Sequence, residues 1–292
     1  EDIFLQRLFY WVVKVAVVGQ LIVGDLNLLQ LAQNKTMKFL SEQNKEIFKG
    51  RTVLLRVDYN IDAGESSFRI DASIPSIKFL LEAGAKIVLL THKGRPEPIL
   101  DSVAAREDIV NFSLEKTATI LERKIVKKVK FINFADIKTI SRIVKEETSN
   151  IILLENLRFF DGEDGGSLQF GRSLAGMGEI FINDAFPVSH RENASICQIP
   201  QFNPSFAGIQ FEKEIKNLDK VTKNPEHPFT LILGGAKASD KIPMINHLID
   251  KIDNCLLSGV PGNTFLKAGG QDIKKSIYEE SMLIEAREIV KT

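Results

Sequence analysis

Two lysines stand beside a glycine turn that joins a predicted strand to a predicted helix. Residues 230–241 read T-L-I-L-G-G-A-K-A-S-D-K, so Lys237 and Lys241 follow Gly234 and Gly235 closely. The free N–H groups and the dipole at a helix N-terminus favour a bound anion. This stretch alone is equally compatible with an anion site and with solvated surface lysines. The P-loop pattern G-x-x-x-x-G-K-[ST] is absent from the sequence, so the turn by itself does not indicate a nucleotide.

Polar and basic residues also follow the short apolar runs in the first two thirds of the chain. Ligands of parallel α/β sheets bind outside the carboxyl ends of the strands, so these residues are expected to share one edge. They are Asp58 and Asn60, His92 and Arg95, Asn156 and Arg158, Asn183 and Asp184 with His190 and Arg191 shortly after, and Arg69 at the start of the first helix. Guanidinium groups bind carboxylates and phosphates through paired hydrogen bonds. Any one of these arginines could be a surface residue, but the set predicts a site for a small polyanion.

Three residues near this edge receive more specific predictions. Asp58 is expected to accept hydrogen bonds from a substrate hydroxyl. His92 is expected to be a neutral hydrogen-bond partner before a catalytic base, because neighbouring arginines disfavour its protonation. Arg56 lies inside the apolar run V-L-L-R-V and is predicted to be structural, paired with a carboxylate.

The apolar spacing predicts the elements that position these residues. Strands are predicted at residues 53–57, 86–90, 126–132, 151–154, 179–182, 230–233 and 254–257. Helices are predicted at residues 70–81, 114–121, 209–221, 242–252 and 277–290, with a short helix after residue 166. Residues 97–112 are predicted to form a loop, and the pattern breaks at residues 200–207. Alternating strands and helices are typical of a parallel α/β fold. The charged helix at 209–221 resembles a connector between domains, and the two strands and three helices after it are too few to bury a core of their own.

Length and composition narrow the class of protein. A chain of 292 residues suggests about two domains of ~100–200 residues each. The net charge of +0 argues against a nucleic-acid binder that works through bulk positive charge. Cys197 and Cys255 are isolated in the sequence, so neither a disulfide framework nor a zinc site is indicated, and a reducing cytoplasm is expected.

Residues 1–36 differ from the rest and remain an unassigned N-terminal extension. The run at residues 8–23 is apolar except for Lys14, Gly19 and Gln20. A membrane helix needs about 20 apolar residues, so this interrupted run favours an extra packed element, or sequence upstream of a start at Met37, over a membrane anchor.

Six motifs occur in order from about Met37 to the last residue: R-V-D-Y-N, R-I-D-A-S-I-P-S-I-K, T-H-K-G-R-P, L-L-E-N-L-R-F, N-D-A-F-P-V-S-H-R and L-G-G-A-K-A-S-D-K-I. Together they resemble the phosphoglycerate kinase family. The resemblance implies reversible phosphoryl transfer between 1,3-bisphosphoglycerate and ADP, giving 3-phosphoglycerate and ATP, with Mg²⁺. It implies two Rossmann-like, three-layer α/β domains with parallel sheets, joined by a helix and closing about a hinge, in a monomeric cytoplasmic enzyme.

The resemblance also divides the chain and its residues between two substrates. Residues 37–205 would form the 3-phosphoglycerate domain, 206–222 the interdomain helix and 223–292 a partial nucleotide-binding domain. Asp58 and Asn60 match the family's pair that holds the glycerate part, and the basic patch for the substrate's charged groups is matched by Arg69, His92, Arg95, Arg158 and Arg191.

On the nucleotide side, the resemblance implies contacts from two glycine turns and two lysines. Lys237, with Arg69, matches the pair that steadies the transferring phosphoryl group, so these two are the expected catalytic residues. Lys241 matches a lysine at the nucleotide phosphates, and Gly234, Gly235 and Gly259 lie in the nucleotide-side turns.

The chain departs from the family pattern in three places. Pro187 follows Phe186 where the family has glycine, and Ser258-Gly259-Val260 replaces a turn of three glycines. The late G-G-G-D-[ST] turn, whose aspartate serves Mg²⁺, is not in the sequence, so no metal ligand is assigned.

Two functions therefore stay open, a kinase seen as an incomplete chain and a 3-phosphoglycerate-binding fragment that is weak or inactive in catalysis. A third function, an NAD-dependent dehydrogenase, would need G-x-G-x-x-G after the first strand and an acidic residue some ~20 positions later. That combination is not in the sequence.

Overall fold

A computed structural model describes residues 37–61, 67–99 and 105–291, in two compact units. The described part of unit 1 ends at Glu214 and that of unit 2 begins at Ile215, inside one helix. Among these residues, no helix has the length and apolar character needed to cross a membrane. The predictions for residues 1–36 lie outside the described residues.

Unit 1 is built on one parallel sheet of six strands. They are β1 (Thr52–Arg56), β2 (Lys86–Leu90), β3 (Lys130–Ile132), β4 (Ile151–Leu154), β5 (Ile180–Asn183) and β6 (Ser205–Ala207), in the order β3-β4-β2-β1-β5-β6. β1 lies between β2 and β5, with Leu54 opposite Val88 and Phe181. The chain moves from β1 to β2 on one side and returns to β5 on the other. Ligands of such sheets bind at this switch point, outside the carboxyl ends of the strands.

Helices cover both faces of this sheet. They are α1 (Phe68–Glu82), α2 (Ala105–Phe112), α3 (Glu115–Ile125), α4 (Ile137–Glu146), α5 (Leu168–Ala175), α6 (Ala194–Cys197) and α7 (Ile209–Thr222), which continues into unit 2. Leu55 belongs to a buried cluster that includes Ile77 of α1, whereas the next residue back, Leu54, belongs to a second cluster with Leu174 of α5. Successive strand residues point to opposite faces. The predicted three-layer α/β fold is thus confirmed for this unit.

The prediction of a loop at residues 97–112 is wrong for its second half, where the structure has the helix α2 at Ala105–Phe112. The carbonyl of Asn111 accepts a hydrogen bond from Lys93 Nζ at 3.0 Å, and that of Phe112 accepts one from Asn156 Nδ2 at 3.1 Å. Such distant partners complete the last turn of the helix. A local sequence pattern cannot reveal them.

Three further elements differ from prediction. The strand predicted at 126–132 is shorter, because Val126 takes a φ of 54° after α3 and only Lys130–Ile132 pairs with β4. β6 was missed because it is a three-residue strand within a proline-broken stretch, held by pairing with β5. α4 was also missed, although Asp136 caps its N-terminus by accepting hydrogen bonds from Lys138 and Thr139.

Unit 2 contains the predicted two strands and three helices after the connector. β7 (Thr230–Leu233) and β8 (Asn254–Leu257) are parallel, and the helices are α8 (Ile242–Leu248), α9 (Gly259–Ala268) and α10 (Leu283–Lys291). Pro243 lies in the first turn of α8, as predicted. The buried cluster of this unit is small, consisting of Ala238, Ile242, Ala268 and Ala286 with partly buried neighbours.

The last helix begins at Leu283 rather than at the predicted residue 277. Residues 277–279 are tied to α9, and Glu280–Met282 form a 3₁₀ turn ahead of the helix. Asn263 Nδ2 donates to the carbonyl of Ile277 at 2.8 Å, and the N–H of Glu279 donates to Thr264 Oγ1 at 3.1 Å. These bonds replace the first helical turns that the apolar spacing suggested.

The N-terminus of α7 is capped by a residue from the end of β5. Asp184 is buried, and its Oδ1 accepts a hydrogen bond from the N–H of Phe211 at 2.9 Å. Gly208 precedes the helix, and a Cβ there would lie 2.3 Å from the Asp184 carboxyl group. Asp184 therefore takes the role that a local N-cap side chain normally has. Burial raises the pKa of Asp184 to about 6.

We predict that Asp184→Asn changes how stability depends on pH. Between pH 3.8 and about pH 6, the Asp184 carboxyl group is protonated in the native state and ionised in the unfolded state. The free energy of unfolding of the wild type therefore falls as pH rises through this window. Asparagine keeps the acceptor and cannot ionise. The free energy of unfolding of the variant, relative to wild type, should rise by up to about 3 kcal/mol between pH 4 and pH 7 in urea titrations.

Asp136→Asn is the matched control, because hydrogen bonds from Thr139 hold the pKa of Asp136 below its ordinary value. That contribution is complete above the unfolded pKa of 3.8 and is lost only as pH falls below it, so the control should show almost no pH dependence between pH 4 and pH 7. The prediction would be contradicted if the difference in unfolding free energy between wild type and Asp184→Asn stayed constant with pH.

Candidate functional site

The loop after β1 is fixed to two other segments at the carboxyl edge of the sheet. Asp58 Oδ2 forms a short ion pair with Arg69 Nη1, at the start of α1. Asn60 Oδ1 accepts a hydrogen bond from the N–H of Gly94 at 2.7 Å, in the loop after β2. These contacts bring together three separate segments that the sequence assigned to one edge.

His92 is buried beside this loop and contacts a buried arginine. Its Nδ1 lies 3.1 Å from Arg56 Nη2, and its Nε2 is buried without a hydrogen-bond partner among the described residues. Burial, followed by the positive charges of Arg56, Arg158 and other arginines, lowers the pKa of His92 to about 2. The neutral imidazole expected from the sequence agrees with this environment.

Arg56 has the carboxylate neighbour that was predicted for it. Its Nη2 lies 3.9 Å from Glu163 Oε1, and both side chains are essentially inaccessible to solvent. Its Nε donates to Ser195 Oγ at 2.9 Å, and Ser195 Oγ donates to Glu163 Oε1 at 2.5 Å. The sequence indicated a carboxylate partner but not its position, more than a hundred residues later in the chain.

Arg158 is buried and held on two sides. Its Nε donates to Asp164 Oδ1 at 2.9 Å, and its Nη1 donates to the carbonyl of Gly94 at 2.5 Å. Asp164 also accepts a hydrogen bond from Asn193 Nδ2 at 2.6 Å. The guanidinium group therefore has a fixed direction before any ligand binds.

Asn156, which the sequence places at this edge without a substrate role, is a positioning residue. Its Oδ1 accepts hydrogen bonds from the N–H groups of Lys93 and Arg158, and its Nδ2 donates to the carbonyls of Lys93 and Phe112. All four hydrogen bonds available to the amide are made. Its place directly after a strand was the available signal, but the signal did not separate it from other strand ends.

Three of the predicted arginines face one cavity of about 520 Å³. Arg95, Arg158 and Arg191 line it, with Asp164 and Asn193 among its other lining residues. Burial, then the charges of Arg158 and Arg95, lower the pKa of Arg191. The carboxylates of Glu97, Asp161 and Asp164 also line the cavity, so its three guanidinium groups face a lining of mixed charge.

Asp58 and Arg69 line a second, smaller cavity of about 260 Å³, together with Asp184, Pro187 and Glu214. Asn60 and His92 are not among the lining residues of either cavity. Pro187, which replaces the family's glycine, lies in a short 3₁₀ turn at Phe186–Val188 and is exposed. The predicted substrate residues thus occupy one edge of unit 1 but divide between two cavities and a buried network.

In unit 2 the two glycine turns touch each other through their backbones. A Cβ on Gly234 would lie 2.4 Å from Ser258 Oγ, and one on Gly259 would lie 2.7 Å from the carbonyl oxygen of Gly235. Gly235 and Gly259 also have positive φ values, of 125° and 62°. Glycine is therefore required for this close approach at the carboxyl ends of β7 and β8.

The expectation of free N–H groups at the Lys237 turn is wrong for two of them. Glu279 Oε2 accepts hydrogen bonds from the N–H groups of Ala238 and Ser239, at 2.8 and 3.0 Å. Hydrogen bonds from Ser239 hold the pKa of Glu279 below its ordinary value. The Nζ atoms of Lys237 and Lys241 form no hydrogen bond or ion pair with the described residues. The lysine side chains, rather than these two N–H groups, are what the turn offers to a ligand.

The side chains that commonly bind metal ions are not clustered in the part of the chain that the structure describes. Among the described residues, no group of three or more histidines, cysteines, aspartates and glutamates has the arrangement of a metal site. The described part of the chain does not by itself fit a resident Mg²⁺.

Comparison with known proteins decides the family. The sequence model described as phosphoglycerate kinase matches residues 44–292. The phosphoglycerate kinase of Dictyoglomus turgidum is 38% identical over 262 residues, covering 87% of this chain and 63% of that protein. The phosphoglycerate kinase of Finegoldia magna is also 38% identical, over 88% of this chain and 63% of that protein. The chain belongs to the phosphoglycerate kinase family.

Solved structures of the family agree with the fold. The phosphoglycerate kinase of Coxiella burnetii superposes with a TM-score of 0.72 at 29% identity, covering 88% of this chain and 63% of that one. The enzyme from Pyrococcus horikoshii OT3 gives a TM-score of 0.70 at 28% identity, over 87% of this chain and 65% of that one. The chain spans about 63% of the length of the curated phosphoglycerate kinases described above.

We predict that Asn156→Asp strongly destabilises unit 1. The aspartate would place a carboxylate oxygen against the carbonyls of Lys93 and Phe112, which now accept hydrogen bonds from Nδ2. Losing both bonds in a buried position should cost at least about 2 kcal/mol of unfolding free energy, measured by urea denaturation. Asn150→Asp, the same change at an exposed position, should stay within about 0.5 kcal/mol. Equal effects of the two variants would contradict the assigned role of Asn156.

Proposed function

We propose that this chain is the substrate half and part of the nucleotide half of a phosphoglycerate kinase. The reaction is reversible phosphoryl transfer between 1,3-bisphosphoglycerate and ADP, giving 3-phosphoglycerate and ATP. The observation that carries the proposal is the cavity lined by Arg95, Arg158 and Arg191 in a chain of this family. Three convergent guanidinium groups suit a small ligand with phosphate and carboxylate groups.

In this proposal the substrate is held from two sides of the carboxyl edge. The three arginines of the larger cavity, with His92, bind its charged groups, while Asp58 and Asn60 hold its glycerate part. Arg69 is held by Asp58 in the described structure. Its guanidinium has five N–H donors, so it can contact the transferring phosphoryl group and still keep one bond to Asp58.

The nucleotide would be bound by unit 2. Lys241 and the turns at Gly234, Gly235 and Gly259 face its phosphates and adenosine, and Lys237 acts with Arg69 on the transferring phosphoryl group. Because the N–H groups of Ala238 and Ser239 are occupied by Glu279, the phosphates rely on the lysine side chains. The transfer is direct and in line, and it depends on positioning and charge neutralisation rather than on a covalent intermediate. Closure of the site would exclude water and suppress hydrolysis.

Mg²⁺ would enter with the nucleotide and neutralise phosphate charge. The described residues do not form a metal site of their own. We further propose that residues 37–205 are the substrate domain, 206–222 the interdomain helix and 223–292 a partial nucleotide-binding domain, in a monomeric cytoplasmic protein. Its partners would be 3-phosphoglycerate or 1,3-bisphosphoglycerate and ADP or ATP, without nucleic acid or membrane.

The second candidate is a fragment that binds 3-phosphoglycerate with little or no turnover. It is favoured by the coverage of about 63% of the relatives' length, because the G-G-G-D-[ST] turn is not in this sequence. Both candidates share every residue of the arginine cavity. Binding and turnover therefore need separate measurements.

We predict that the chain binds 3-phosphoglycerate weakly in isothermal titration calorimetry and that Arg191→Ala weakens this binding about 10- to 100-fold. The expected loss is that of a charged hydrogen bond in a partly buried site. Arg123→Ala, an exposed arginine of α3, is the control and should bind within about twofold of wild type. Unchanged binding by Arg191→Ala would contradict the proposed site, and absent binding by the wild type would contradict the proposed substrate.

We also predict that the 292-residue chain turns over at least about a hundredfold more slowly than a full-length phosphoglycerate kinase, since this sequence does not contain the G-G-G-D-[ST] turn to which the resemblance assigns neutralisation of the transferring group. A coupled assay with 3-phosphoglycerate, ATP and Mg²⁺ measures this, and the D. turgidum enzyme serves as positive control. Turnover close to that of the control would exclude the second candidate.

A further inference from the structure

The contact between Arg56 and His92 determines which nitrogen of the imidazole carries the proton. Arginine has hydrogen-bond donors and no acceptor, so a nitrogen that receives its N–H must have a free lone pair. The two atoms in contact are Arg56 Nη2 and His92 Nδ1, 3.1 Å apart. Both the imidazolium and the tautomer protonated on Nδ1 would place two donors against each other. The geometry fits only the neutral tautomer protonated on Nε2.

Arg56 is itself held too firmly to turn away from this contact. Its Nε donates to Ser195 Oγ at 2.9 Å, and its Nη1 donates to the carbonyl of Val57 at 2.5 Å. Ser195 is in turn fixed by Glu163, which accepts from its hydroxyl and from its N–H at 2.5 and 3.0 Å. The chain of contacts therefore runs from Glu163 through Ser195 and Arg56 to His92.

The other nitrogen of the ring is left for a ligand. His92 Nε2 is buried and has no hydrogen-bond partner among the described residues, although buried donors are normally satisfied. The charged groups that act on the ring are Arg56, Arg158, Arg191 and Arg69. A neutral N–H donor on His92 can form a directed hydrogen bond with an anion without adding another positive charge beside these arginines.

We propose that Arg56 is a positioning residue, which fixes His92 as the neutral Nε2–H tautomer so that the imidazole can donate to an anion bound at the carboxyl edge of the sheet. The identity of that anion as 3-phosphoglycerate rests on the proposed function. The assignment of the tautomer does not.

The alternative is that Arg56 only compensates the buried charge of Glu163. These two side chains are 3.9 Å apart at their closest and share no direct hydrogen bond, whereas Nη2 of the same guanidinium lies within hydrogen-bond distance of His92. A purely compensating cation could be replaced by lysine without any change at His92. This difference is measurable.

The first measurement uses the wild-type chain labelled with ¹⁵N-histidine, and long-range ¹H–¹⁵N spectra recorded from about pH 5 to about pH 8, the range in which an unperturbed histidine titrates. The His92 signal is assigned by its loss in His92→Gln. We expect a proton on Nε2 and an unprotonated Nδ1 at every pH. A proton on Nδ1, or a doubly protonated ring within this range, would overturn the proposal.

The second measurement compares Arg56→Lys with Arg51→Lys, the same change at an exposed arginine just before β1. Lysine keeps the positive charge but cannot donate hydrogen bonds to Ser195, Val57 and His92 at the same time. Arg56→Lys should alter the His92 tautomer signal and weaken 3-phosphoglycerate binding about tenfold, a change of about 1.4 kcal/mol, while Arg51→Lys changes neither.

The outcomes separate the two proposals. An unchanged His92 signal and unchanged affinity in Arg56→Lys would overturn the positioning role. If Arg56→Lys does not fold, the wild-type spectrum alone decides on the tautomer. If the wild type shows the Nε2–H tautomer but does not bind 3-phosphoglycerate, the proposed function fails, and the Arg56→Lys spectrum still decides the role of Arg56 toward His92.

Discussion

A buried guanidinium group at the end of the central strand of unit 1 connects the parts of the site. Arg56 ends β1 without access to solvent, and a buried charge is stable only when its donors are satisfied. Its partners come from the loop after β2 and from residues 163 and 195, which follow β4 and β5. The requirement to satisfy this one cation therefore draws four separate segments to the same edge of the sheet. The arginines that line the larger cavity are carried by these segments or lie next to them.

Neutral amides then orient the positive charges. Asn60 and Asn156 bind the backbone of the loop after β2 from both sides, and the carbonyl of Gly94 in that loop accepts from Arg158. Because these bonds lie within the protein, the guanidinium of Arg158 does not have to be ordered by its ligand. A pre-ordered side chain loses less entropy when a ligand binds to it.

The strands and the strand-end residues could be predicted because their signals are local. β1, β2 and β4 are buried on both faces, so they read as continuous apolar runs, and the polar residue after each run is visible directly. What could not be predicted depends on partners distant in the chain. The end of α2 depends on Asn156, the carboxylate beside Arg56 is Glu163, and the acceptor at the Ala238 turn is Glu279. Local spacing contains no information about any of these three.

Because Asp184 caps α7, the start of this helix is coupled to the sheet when the protein opens locally. Because Gly208 has no side chain, the position before the helix offers no side-chain cap, and the N–H groups of Ile209 and Phe211 donate instead to Ser76 of α1 and to Asp184 after β5. Fraying of the sheet edge at β5 and β6 therefore also releases the start of α7. The amide protons of this first turn belong to the same cooperative unit as the sheet, although they are helical, and they report on its local opening.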